Sequence, residues 1–127
     1  FIIQSPNNKI FYTGDGGYGQ HFAAIGKKYG PFDWALMENG QYDAAWRSVH
    51  CHPDEVAQAT EELNARNMIP VHHYKFSLAK HAWNEPIIRI SEYSKTRNYR
   101  LATPMIGELV ELDNQQQVFQ AWWKNIH

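Results

Sequence analysis

The sequence predicts a domain of the α/β class. Three observations carry that expectation: short apolar runs alternate with segments of helical periodicity, turn residues punctuate the boundaries, and 127 residues suffice for one compact unit but not for two ordinary ones. At 43% hydrophobic and 20% charged residues, the balance is that of a globular chain. A net charge of −1 gives no electrostatic footprint for nucleic acid or an anionic membrane. The one cysteine, Cys51, has no internal partner and fits a reducing compartment, so a cytoplasmic location is expected.

Each element follows from local chemistry. Phe1–Gln4 and Lys9–Thr13 read as extended runs joined by Ser5-Pro6-Asn7-Asn8, a hairpin signal. Gly14–Gly19 is a loop. From Gln20 to Tyr29, Phe22, Ile25 and Tyr29 recur at helical spacing, and Gly30-Pro31 stops the helix. Asp33–Met37 is a buried strand, followed by an irregular stretch, Glu38–His52. Pro53 suits a first helical position, Asp54 and Glu55 favour the positive helix start, and Val56, Ala59 and Leu63 give that helix an apolar face to about Arg66. Met68–His72 is a brief strand. Asn84 caps a helix from Glu85 to Thr96 with Pro86 in its first turn. Leu101–Thr103 and Glu108–Leu112 read as extended. Asn114 with Gln117 three residues on is a capping-box signal for a final helix, Gln115–Asn125.

The chemistry centres on Asp15 and His72. Each lies where a short apolar strand ends and a loop begins, the place where ligands gather in open α/β sheets. A carboxylate and an imidazole together suit zinc, manganese or iron. The residues alone also allow a turn aspartate and a half-buried histidine, because glycine tolerates positive φ and aspartate bonds its own backbone. His50-Cys51-His52-Pro53-Asp54 spells His-x-His-x-Asp, a second candidate metal pattern. Pro53 and Asp54 are equally explained as helix-start residues, and imidazoles one residue apart in extended chain point in opposite directions. The favoured reading sends one of the two histidines to an active site and leaves the other solvated. His21 opens the first helix beside the Asp15 loop and is a candidate substrate contact; His73 is placed to orient a group near His72. His81 and His127 are expected at the surface, and Trp122-Trp123 as core plus interface. No Gly-x-Ser-x-Gly, P-loop or paired Cys-x-x-Cys motif is present.

An ordered series of residues carries a family resemblance: Gly14-Asp15-Gly16-Gly17-Tyr18, Phe22, Ile25-Gly26, Tyr29-Gly30-Pro31-Phe32-Asp33, Gly40 with Tyr42, Trp46, His50 followed by Pro53-Asp54-Glu55, then Val71-His72 with Phe76. Over Ile10 to Pro86 the chain resembles the carboxyl-terminal half of a metallo-β-lactamase-fold hydrolase, in the branch of N-acyl-phosphatidylethanolamine phospholipase D and the L-ascorbate-6-phosphate lactonases. The resemblance implies half of an αββα sandwich and a dinuclear site of two divalent ions, zinc with manganese as the alternative. Asp15 corresponds to the metal-bridging aspartate, His72 to the last metal-binding histidine, and His50 to a histidine on the substrate side. His50 is therefore the expected catalytic residue, steadying a developing oxyanion or protonating the leaving group. The implied reaction is attack of metal-activated water on a phosphodiester or a lactone, the substrate being a small molecule or phospholipid-like.

The departures are informative. Gly16 replaces the family's usual threonine, Glu38-Asn39-Gly40-Gln41-Tyr42 stands where relatives often carry Pro-Ile-Gly-Ala-Tyr, and His73-Tyr74-Lys75 replaces Trp-Gly-Thr. These stretches face the substrate pocket in relatives, which makes Tyr42 and His73, with His21, the expected substrate contacts. The family's His-x-His-x-Asp-His signature is absent, and a catalytic zinc needs about three protein ligands. Residues 1–127 are therefore expected to be the carboxyl-terminal part of one domain, completed by an amino-terminal half and possessing, by itself, no catalytic activity. Self-association through the uncovered surface is a further expectation. Two rival classes stand beside the hydrolase: a mononuclear site of His50, His52 and Asp54, and a degenerate, non-catalytic binding or assembly module.

Overall fold

The computed structural model describes residues 1–76 and 78–126, so His127 lies outside the described residues. Strands β1 (Ile2–Gln4), β2 (Lys9–Tyr12), β3 (Phe32–Glu38), β4 (Ala65–Val71) and β5 (Arg100–Leu101) form one sheet in sequence order. β1 and β2 make the expected antiparallel hairpin, and every later pairing is parallel. Parallel neighbours need crossover connections. Helices α1 (His21–Tyr29), α2 (Pro53–Glu62) and α3 (Glu85–Ser94) provide them. The result is a mixed sheet with flanking helices, the α/β class expected from the alternation.

Side chains alternate between the faces of a strand. Phe11, Ala35 and Met68 are register neighbours on β2, β3 and β4. With Met37 they build the core against Phe22 of α1, Val56 and Ala59 of α2, and Ile87 and Ile90 of α3. On the opposite face Trp34 is fully buried. Its indole Nε1 donates to the Leu112 carbonyl at 3.0 Å, and the Arg100 guanidinium lies over its ring. The segment after β5 thus folds back over this end of the sheet.

That segment corrects one expectation. Gln115–Asn125 is not a continuous helix; only a short 3-10 turn, Trp122–Asn125, forms. The Arg100 Nη1 takes the carbonyls of both Gln115 and Gln117 at 2.9 Å, removing the acceptors a first helical turn requires. Asn114 Oδ1 accepts from the Gln116 amide at 3.0 Å, a local turn rather than a cap. The Gln117 side chain bonds the Glu111 amide and the Leu109 carbonyl instead of reaching back to Asn114. Glu108–Leu112 likewise joins no strand.

Tyr18 ties the glycine loop to α2. Its ring stacks on Phe22 and its hydroxyl donates to Glu62 Oε1 at 2.7 Å. That hydrogen bond, followed by burial, pushes the phenol up to about 12. The unfolded phenol ionises near pH 10, so the unfolded state sheds its proton first as pH rises. The Tyr18 contribution is therefore complete below about pH 10 and lost as pH rises through the folded value. Tyr18→Phe is expected to be less stable than wild type at neutral pH and to show a shallower alkaline decline; urea midpoints across the alkaline range measure both.

Candidate metal centre

Three strand ends build the site. β2 ends at Tyr12, and Thr13 continues from it with its amide on the Leu36 carbonyl. Gly14 then adopts a φ of 61°, a left-handed turn that delivers Asp15 beyond the sheet edge. β4 ends at Val71, and His72 follows with a φ of 68°. Left-handed backbone is uncommon for a residue with a side chain and marks a conformation imposed by its surroundings. The two turns bring His72 Nε2 to 3.6 Å from Asp15 Oδ1. The Asp15 side chain is 66% exposed and that of His72 37%, so both face open solvent space.

β3, between them, ends at Glu38, which is almost completely buried. Its amide donates to Thr13 Oγ1 at 2.9 Å, locking the end of β3 to the Asp15 turn. Its carboxylate reaches the segment before α2: Oε2 lies 2.9 Å from His50 Nδ1, and Oε1 accepts from the Cys51 amide at 3.0 Å. The Cys51 thiol donates in turn to the Gly16 carbonyl at 3.2 Å, closing a loop of contacts back to the Asp15 turn. Burial pushes that thiol up to about 12, so at neutral pH it stays a protonated packing group rather than a thiolate.

His50 is held at this corner, its ring stacked on His72 at 5.7 Å between centroids and met by the edge of Trp46. Asp15, His50 and His72 line one open cavity of 450 Å³ together with Gln41, Trp46, Val49 and Leu78. Among the described residues, Glu38, His50 and His72 form a candidate metal-ligand cluster whose ligand atoms lie within 4.8 Å of one another. Carboxylate and imidazole donors converging at a solvent-accessible rim fit a divalent metal of the zinc or manganese type.

The other candidates fall elsewhere. His21 is exposed on α1, packed on Phe22, and does not line the cavity. Tyr42 is buried, stacks on His81 and donates its hydroxyl to Glu85 Oε1 at 2.6 Å. Burial, then that hydrogen bond, raises its pKa well above the ordinary phenol value. His81 is thus half-buried against Tyr42 rather than free at the surface. His73 turns inward, with Nε2 on the Pro70 carbonyl at 2.7 Å. Burial holds its imidazole down to about 4, so it is neutral beside His72. His52 diverges from His50, packing on Tyr42, while Asp54 is exposed on α2. His50, His52 and Asp54 do not form a metal-ligand group among the described residues. Glu38 is the residue sequence reasoning missed. Its signal was its place: like Asp15 and His72, it sits at the carboxyl end of a parallel strand.

This fold and this cluster define a metallo-β-lactamase-type domain, and comparison with known proteins agrees. Residues 1–73 match the family described as the beta-lactamase superfamily domain, and the chain belongs to that family. It is 54% identical over 72 residues to the outer membrane protein RomA of Klebsiella pneumoniae, covering 57% of this chain and 54% of that protein. An uncharacterised protein of Mycobacterium tuberculosis is 32% identical over 122 residues, covering 94% of this chain and 32% of that one. An N-acyl-phosphatidylethanolamine-hydrolyzing phospholipase D of Caenorhabditis elegans is 38% identical over 75 residues, covering 57% and 21% respectively. The crystal structure of the metallo-beta-lactamase fold protein YhfI from Bacillus subtilis superimposes with a TM-score of 0.59 at 16% identity, over 80% of this chain and 39% of that one. The chain spans about half the length of the Klebsiella relative and about a third of the mycobacterial one.

Proposed function

We propose that this chain is the carboxyl-terminal part of a metal-dependent hydrolase that cleaves a phosphodiester or a lactone. The observation that carries the reading is the convergence of Asp15 and His72, 3.6 Å apart, with His50 on the wall of the same open cavity. Asp15 and His72 would hold part of a site for two divalent ions, zinc or manganese, with the remaining ligands in an amino-terminal half of the same domain. Such ions, when bound, supply the Lewis acidity that makes water nucleophilic near neutral pH. His50 faces the reacting group, where an imidazole steadies developing negative charge or passes a proton to the leaving oxygen. Trp46, Val49 and Leu78 set apolar surface beside these polar groups, which suits a substrate with an apolar arm next to the scissile ester. The phospholipase name of the Caenorhabditis relative favours the phosphodiester. His21, exposed on α1, would reach substrate only in a pocket completed by the rest of the domain, whereas Tyr42 and His73, packed inward, would shape the pocket wall from behind.

The test is hydrolysis of a phosphodiester and of a lactone panel by the complete protein, with and without chelator. Activity that chelation removes and zinc or manganese restores is expected. His52→Ala should leave metal content and turnover unchanged, whereas a mononuclear site built on His50, His52 and Asp54 would lose both. Failure to hydrolyse either substrate class in the metal-loaded state favours the non-catalytic module.

A further inference from the structure

We propose that Glu38 is a positioning residue that fixes the tautomer of His50, so that Nδ1 carries the hydrogen and Nε2 is the ring nitrogen free to act at the cavity. This rests on the hydrolase reading for its catalytic consequence, but not for its geometry. Both Glu38 oxygens are committed: Oε1 to the Cys51 amide at 3.0 Å and Oε2 to His50 Nδ1 at 2.9 Å. The side chain is only 4% exposed and is not among the residues that line the cavity with Asp15 and His72. A carboxylate accepts and never donates, so the His50–Glu38 contact requires the hydrogen on Nδ1 whether the imidazole is neutral or charged. The partner amide of Cys51 is fixed backbone, which prevents the carboxylate from swivelling away.

The same arrangement explains the ring's placement. His50 is bounded by the His72 face, the Trp46 edge and the Glu38 oxygen, leaving it little rotational freedom. A buried carboxylate behind an active imidazole orients it and selects its tautomer, and losing that orientation costs turnover rather than fold. Glu38 thereby acts through His50 and touches no substrate.

The sharpest variant is Glu38→Gln, which keeps shape and volume. The Cys51 amide still demands an acceptor, so the glutamine oxygen stays there and its NH2 turns to His50. Nδ1 must then accept, and the ring hydrogen moves to Nε2. Ring nitrogen-15 chemical shifts of the complete protein, with His50→Asn assigning the signal, read this directly. The expected result is an Nδ1–H imidazole in the wild type and an Nε2–H imidazole in Glu38→Gln, with metal content unchanged. Turnover should fall about 10²–10⁴-fold with KM little altered, the range expected when general acid–base catalysis is lost. The same tautomer in both proteins overturns the proposal. So does loss of bound metal in Glu38→Gln, which would make Glu38 a ligand. The tautomer readout needs no substrate, so failure of the hydrolase reading appears separately, as absent turnover in the wild type.

Discussion

Alanine at Asp15 is expected to abolish metal-dependent turnover in the complete protein while leaving the fold intact. The Asp15 side chain is mostly exposed, its contact in the site is His72 at 3.6 Å, and it contributes nothing to the hydrophobic core. Surface substitutions of that kind usually change stability by no more than about 0.5 kcal/mol. The effect on the metal is of another order. Losing an outer-shell partner typically lowers metal affinity roughly 10–100-fold, and losing a ligand itself removes more. His72→Ala should act in the same direction. The check is a metal titration and initial rates set beside a thermal melt: affinity and rate collapse, and the melting temperature holds. An Asp15→Ala protein with wild-type affinity would show that the carboxylate is only a turn residue.

Gly40→Ala is expected to damage stability and site together. A Cβ at Gly40 would meet the His72 carbonyl oxygen well inside van der Waals contact, with His73 Cβ at 2.7 Å. Those atoms belong to backbone and to the first atom of a side chain, so no flexible tip can yield. Overpacking of this sort costs typically about 1–3 kcal/mol. The strain falls on the turn that places His72, whose backbone already occupies the left-handed region. A misplacement of about 1 Å in a catalytic group can cost on the order of 10²-fold in rate. Gly40→Ala should therefore lower the urea midpoint and weaken zinc binding in parallel, the pairing that Asp15→Ala does not show. Unchanged zinc affinity would mean that the Gly40–His72 contact does not position the ligand.

Much of this was readable from residues. The hairpin, the three helices and the two long strands β3 and β4 carry local signals that tertiary packing reinforces: Pro53 with Asp54 and Glu55 at the start of α2, Gly30-Pro31 after α1, and the apolar run of β3. β4, however, begins at Ala65 rather than at Met68. Asp15 and His72 were legible because parallel strands deliver their carboxyl ends to one edge of a sheet, and each is a potential metal ligand within three residues of such an end.

What sequence could not reveal depended on partners far away in the chain. The capping signal at Asn114 and Gln117 was outbid by Arg100, which takes the carbonyls of Gln115 and Gln117 and is itself held by Asn67 Oδ1 at 2.8 Å. No window around residue 115 contains that information. Glu38 was hidden for a related reason. Its meaning lies in Oε1 and Oε2 reaching the Cys51 amide and His50 ring across a turn whose path no periodicity encodes. The divergence of His50 and His52 was anticipated from extended geometry. The partner that captures each ring, Glu38 for one and Tyr42 for the other, was not.

The central claim is that Asp15 and His72 hold metal at the rim of the 450 Å³ cavity. The most direct measurement is an anomalous-scattering map from crystals of the complete protein grown with zinc. The account predicts an anomalous peak in contact with the Asp15 carboxylate and His72 Nε2, absent from crystals of the Asp15→Ala protein. A peak on His52 and Asp54, or zinc-loaded crystals with none against Asp15 and His72, would contradict it.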